Sequence, residues 1–168
     1  MKIKGVSGLH YYESVSNSLE QQILQFFEEI EWEDGPGSRK VCQFGKAYSY
    51  TKRRLDENRP EIPPILQELI KLIPEKFQDN FDQVIINRYL RTEKITGHID
   101  HFSFGPVIAC FSFGSKATMV FESGLIKAEL EVDNLSLYIM SGKSREAFTH
   151  CMKPAKNLRY SITFRTIL

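Results

Sequence analysis

A chain of 168 residues with 42% hydrophobic and 26% charged residues has enough apolar material for one well-buried core and falls short of two typical domains. The net charge of +1, histidine neutral, leaves no global field to attract nucleic acid or membrane, so any basic patch must be local. The three cysteines, Cys42, Cys110 and Cys151, never form CxxC; a disulfide framework and a zinc knuckle are not suggested, and a reducing cytoplasmic or nuclear setting fits best.

The opening MKIKGVSGLHYYESV lacks an apolar h-region, and no run of about 18 apolar residues occurs, so neither a signal peptide nor a transmembrane helix is expected. Asn17 to Trp32 reads as an amphipathic helix, with Ser18 and Gln21 as a capping box and Leu19, Ile23, Phe26, Phe27 and Ile30 on one face. DGPG at 34–37 ends it. A tract mixing basic and aromatic residues follows: Arg39, Lys40, Phe44, Lys46, Tyr48, Tyr50, Lys52, Arg53 and Arg54. Pro63 to Ile73 predicts a second helix, with prolines in its first turn and Ile65, Leu66, Leu69, Ile70 and Ile73 for burial.

After residue 80 the pattern changes to short β-branched and apolar runs: VIINRYL, VIACFSFG, ATMVFES, IKAELEV, LSLYIMSG and YSITFRTIL. The fold class is therefore α+β, an antiparallel sandwich, jelly roll or barrel with the helices against one face.

Three groups of residues carry chemistry. In GHIDHF, His98 and Asp100 are two apart, a spacing that at the end of a strand points both to one side while Ile99 faces the core. His150 is the one other histidine beyond the helices that could join them, from a neighbouring strand. Two histidines and a carboxylate on one side of an ion leave the opposite positions open, a set that takes Fe(II) and also zinc. His10, outside the predicted sheet, and His101, on the opposite side of the strand from Asp100, read as structural.

The final segment alternates, with Tyr160, Ile162 and Phe164 on one face and Arg159, Ser161, Thr163 and Arg165 on the other. Two guanidiniums on one strand face suit a short dicarboxylate held at both ends. Asn87 and Tyr89, also two apart, add an amide and a phenol.

Taken together, N-x-Y, then HxD eleven residues after the asparagine, then a distant His, then RxSxxxR resemble the AlkB family of Fe(II)- and 2-oxoglutarate-dependent dioxygenases, from about residue 38 to the end. The resemblance implies a double-stranded β-helix, or jelly roll, with N-terminal helices packed outside, in a single domain over 1–168 with 38–60 as a nucleotide-recognition lid. It implies that His98, Asp100 and His150 bind iron and that Asn87, Tyr89, Arg159, Ser161 and Arg165 bind 2-oxoglutarate, Arg159 at its C5 carboxylate and Arg165 near C1. Iron, 2-oxoglutarate and dioxygen would together hydroxylate a C–H bond, releasing succinate and carbon dioxide; an N-methyl group would leave as formaldehyde.

The expected substrate is a modified base in DNA or RNA, met by Tyr48 and Tyr50 as stackers, Lys52, Arg53 and Arg54 at phosphates, and Phe102. Phe102 stands where AlkB has an acidic residue that contacts the base, Ser161 where it has asparagine, and Lys143, in MSGKSREAFTH, where the family's GESR-type stretch is acidic. HIDHFSF and MSGKSREAFTH are closer to the tRNA-modifying branch. The alternatives are an oxygenase acting on a protein side chain and a non-catalytic metal-binding or scaffold jelly roll. A monomer is expected.

Overall fold

The computed structural model describes residues 1–49 and 54–168, with the side chains of 47–58 excluded. The strands are β1 (Leu9–Tyr12), β2 (Glu33–Asp34), β3 (Lys40–Ser49), β4 (Arg54–Asn58), β5 (Gln83–Tyr89), β6 (Ile95–His98), β7 (Val107–Gly114), β8 (Ala117–Ser123), β9 (Ile126–Val132), β10 (Leu137–Ser141), β11 (Thr149–Met152) and β12 (Arg159–Arg165). The helices are α1 (Glu20–Glu29), α2 (Pro64–Lys71) and the short α3 (Lys143–Glu146).

One sheet runs β1-β10-β7-β12-β5-β3-β2, with β4 paired to β3; a four-stranded sheet runs β6-β11-β8-β9. Sequence neighbours are seldom sheet neighbours, since β12 lies between β5 and β7, and β10 between β1 and β7. This is the double-stranded β-helix expected from the sequence. Period-2 alternation in the larger sheet divides its side chains between two cores. Val84, Ile86, Phe111, Phe113, Ile139, Ile162 and Phe164 face the helices, where Ile23 and Phe27 of α1 and Leu66 and Leu69 of α2 meet them. Tyr89, Ile108, Cys110, Tyr138 and Met140 face the smaller sheet, against Met119, Phe121, Leu130 and Met152. Each of these large apolar side chains, fully buried, contributes roughly 1.5–3 kcal/mol.

Helix α1 starts later than the periodicity predicts. A 3-10 turn over Asn17–Leu19 precedes it, Leu19 occupies the cap, and no side-chain capping bond forms, so Ser18 and Gln21 make no capping box. The helix also stops at Glu29, where Ile30 turns extended. Its apolar face is as expected: Ile23 and Phe27 are buried, while Leu19, Phe26 and Ile30 pack at the margin. Pro63 and Pro64 open α2, where a missing N–H costs nothing.

The strands β1, β2, β3, β4, β6 and β11 were not apparent from periodicity. His10 lies in β1 rather than outside the sheet, directly opposite Ile139, with its ring 4.6 Å from that of Phe77. Gly8, just before β1, is required there: its φ is +87° and a Cβ would lie 1.8 Å from the carbonyl oxygen of Ser141.

Candidate metal and cosubstrate site

The ladder between β6 and β11 makes His98 and His150 direct Cα partners, although 52 positions separate them in the chain (150 − 98). Their ring centroids are 4.4 Å apart. Beyond His98 the strand ends and the chain turns, which tucks the Asp100 carboxylate under both rings: Oδ1 is 3.1 Å from His98 Nε2 and 3.5 Å from His150 Nε2. The three ligand atoms all lie within 4.8 Å of one another. Because β6 stops at His98, alternation does not carry past it. Ile99 consequently stands 44% exposed at the cavity instead of facing the core.

Each member is poised differently. Burial opposes ionisation of Asp100, but Arg165, His98 and His150 outweigh it and hold the carboxyl far below the usual carboxylate range. Its Oδ2 is 3.1 Å from Arg165 Nη2, an ion pair without hydrogen-bond alignment. Burial pushes His150 down to about 4, so near neutral pH it presents an uncharged ring, stacked on Phe121. Burial also pulls on His98, yet its bonds to Asp100 and to the Thr96 carbonyl raise its pKa. His98 Nδ1 donates to Thr96 O at 2.9 Å, the arrangement that leaves Nε2 for a metal.

A cavity of about 520 Å³ opens on these ligand atoms. The inward face of β12 forms one wall, with Arg165 beside Asp100 and Arg159 six residues, about 20 Å of strand, further on. Register places Tyr89 opposite Arg159 and Asn87 opposite Ser161; all four line the cavity. Arg159 is 2% exposed, donates from Nη2 to Ser112 Oγ at 2.9 Å and lies over the Tyr89 ring.

Among the described residues, Tyr89 Oη, Arg159 Nε, Arg165 Nε, Asp100 Oδ2 and His150 Nδ1 are buried without a hydrogen-bond partner. Tyr89 Oη lies near Ser161 without a bond of normal geometry. Native interiors carry only a few such atoms per hundred residues; Arg59, Gln83 and Arg88 account for the others among the described residues, and the gathering of five around one cavity fits a site for an ion and an oxygen-rich anion. The donor set fits both groups: two imidazoles and a carboxylate on one side suit Fe(II), and guanidiniums, an amide and a phenol suit a dicarboxylate.

The sequence reading missed Ser112 and placed Arg39 in the lid tract without its contact to Asn87. Arg39 Nε donates to Asn87 Oδ1 at 3.0 Å, which leaves the Asn87 amide N–H groups to face the cavity. Neither carries a spacing signal, since Ser112 acts from β7 and Arg39 from the residue just before β3. One expected substrate contact is not brought to the cavity lining. Phe102 is 83% exposed at the tip of the 100–105 loop, its ring 4.1 Å from that of His101. His101, expected to point away, reaches the cavity mouth, with Nδ1 bonded to Ser103 Oγ. The candidate substrate side chains of Tyr48, Tyr50, Lys52, Arg53 and Arg54 lie outside the described residues.

Comparison with known proteins agrees with this geometry. The family model described as "2OG-Fe(II) oxygenase superfamily" matches residues 11–165. The chain is 30% identical over 166 residues to tRNA (carboxymethyluridine(34)-5-O)-methyltransferase ALKBH8 of Mus musculus, covering 89% of this chain and 24% of that one. It is 29% identical over 158 residues to RNA demethylase ALKBH9B of Arabidopsis thaliana, covering 80% and 30%. The chain thus spans about a quarter of the length of the curated relatives it matches. The solved structure of OsALKBH1 superposes with a TM-score of 0.75 at 16% identity, over 99% of this chain and 100% of that one, a likeness of fold. The chain belongs to the 2OG-Fe(II) oxygenase superfamily, in its AlkB branch, and its cofactor and cosubstrates are Fe(II), 2-oxoglutarate and dioxygen.

Proposed function

We propose that the chain oxidises a C–H bond on a modified base in RNA, demethylating or hydroxylating it with release of succinate and carbon dioxide. The observation that carries this reading is the meeting of His98, Asp100 and His150 in the cavity that also holds the buried Arg159. RNA is favoured over DNA because the relatives are a tRNA methyltransferase and an RNA demethylase, and because Phe102 stands where AlkB has its base-contacting acid.

Each residue has a task. His98, Asp100 and His150 would hold Fe(II). Bound iron supplies the activation of dioxygen that oxidative decarboxylation and hydroxylation require. Arg159 would pair with the distal carboxylate of 2-oxoglutarate, with Tyr89, Asn87 and Ser161 as donors to its oxygens, while Arg165, which pairs with Asp100, would serve the C1 end. Residues 38–60, which include the antiparallel pair β3 and β4, act as the nucleotide-recognition lid of a single monomeric domain over 1–168. The three free thiols support a reducing cytoplasmic or nuclear setting. Among the described residues no helix is long and apolar enough to cross a membrane.

Anaerobic addition of Fe(II) and 2-oxoglutarate tests the centre: a weak visible charge-transfer band is expected, followed by succinate once dioxygen is admitted, and neither band nor succinate would leave a scaffold jelly roll. Mass spectrometry of modified RNA and DNA oligonucleotides then tests the substrate. Loss of CH2 or gain of one oxygen on RNA is expected; turnover confined to DNA or to protein would overturn that part.

A further inference from the structure

Loop 100–105 carries Asp100 yet, apart from an isolated bridge at Phe104, lies outside both sheets, so the strand ladders leave most of its carbonyls unpaired. Four of them converge on one side chain. Arg145, on α3, donates from Nε to Gly105 O at 3.2 Å, from Nη1 to Asp100 O at 2.9 Å, and from Nη2 to His101 O at 2.8 Å and Phe104 O at 3.0 Å. The side chain is 6% exposed. Its charge is met by carbonyl dipoles instead of a carboxylate: no acidic group within salt-bridge distance of it is found among the described residues. A buried guanidinium needs several acceptors in its plane, and buried carbonyls need donors; each satisfies the other.

Arg145 also sits five residues before His150 (150 − 145), on the segment that joins β10 to β11. One side chain therefore ties the loop bearing one metal-binding candidate to the segment leading into another. The loop has other anchors, from Gly105 N to Thr166 O at 2.7 Å and from Leu168 N to Ser103 O at 2.9 Å. These act on its far half, the Arg165 and His98 contacts act on the Asp100 carboxylate, and Arg145 is the side chain that gathers the backbone carbonyls of Asp100, His101, Phe104 and Gly105 together.

We propose that Arg145 is a positioning residue for the metal centre, its guanidinium wrapping loop 100–105 so that the Asp100 carboxylate meets His98 and His150. This rests on the assignment of those three residues to the metal. Neither partial substitute should suffice. Lysine offers a compact ammonium that cannot reach four carbonyls in one plane, and glutamine offers one amide.

The test uses the full chain and Co(II) alone, followed by its visible absorption, with no activity needed. The native protein should bind Co(II) and Asp100→Asn should not. Arg145→Lys and Arg145→Gln should melt cooperatively yet bind Co(II) roughly 10–100-fold more weakly, Gln more so than Lys. Hydrogen exchange should quicken over 100–105 and stay native in β5 and β12. Native-like affinity in folded Arg145→Gln overturns the proposal alone. So does failure of both variants to fold, which would make Arg145 a determinant of the whole fold. A native chain that does not take Co(II) overturns the metal assignment and the proposal with it.

Discussion

Ser112 and Arg159 meet across the β7–β12 ladder, where the hydroxyl oxygen accepts from a guanidinium that is 2% exposed. The charge has no carboxylate partner in the described structure, which is why a dicarboxylate is expected to dock there. Arg159→Met should raise KM for 2-oxoglutarate by at least about 30-fold, since truncating one partner of a buried charge pair costs roughly 2–5 kcal/mol. Arg159→Lys should recover only part of it. An unchanged KM in a folded variant would place the distal carboxylate elsewhere.

Arg39 fixes the Asn87 amide by accepting none of its protons and occupying its oxygen. Arg39→Leu should let the amide turn, weakening 2-oxoglutarate by a few-fold, in keeping with about 1 kcal/mol for one hydrogen bond. Co(II) affinity should not move. Kinetics at varied 2-oxoglutarate, paired with a Co(II) titration, separates the two effects.

The metal-free chain should lose stability in mild acid through His150. Its folded pKa is pushed from 6.5 to about 4 by burial, so the unfolded state binds the proton more readily. The contribution is complete above pH 6.5, falls as pH drops from there and levels near 4, for a total of about 3 kcal/mol. Asp100 stays ionised across that window. His98, shifted upward, contributes in the opposite sense, stabilising below 6.5 and losing that contribution as pH rises. The difference between native protein and His150→Gln in chelator, by denaturant melts at several pH values, isolates the slope; parallel curves would contradict it.

Much of this was legible from spacing alone. The strict alternation of β12 gave its two faces, and the strands β7, β8 and β9 begin and end where the apolar runs do. What spacing could not give was anything set by a strand's end. Ile99 is exposed because β6 stops one residue earlier, and β6 and β11, each only four residues long, are too short to show a period. Arg145 likewise looked like one charge among others in MSGKSREAFTH, because its partners are backbone atoms that no side-chain pattern encodes.

Phe102 gives a separate handle on the substrate. Exposed and outside the metal shell, it should tolerate Phe102→Ala within about 0.5 kcal/mol of native stability. If a base stacks on it, KM for an oligonucleotide should rise roughly 5–150-fold, the equivalent of 1–3 kcal/mol, with KM for 2-oxoglutarate unchanged. Equal loss for both would point to a displaced loop instead.

The two faces of β12 have a consequence for variation. Tyr160, Ile162 and Phe164 answer to the helices and Arg159, Ser161 and Arg165 to the cavity, so a single strand is a partition between two independent tolerances. Repacking the helical side can tune thermal endurance without reprogramming what the enzyme accepts, and the reverse holds for the inward side.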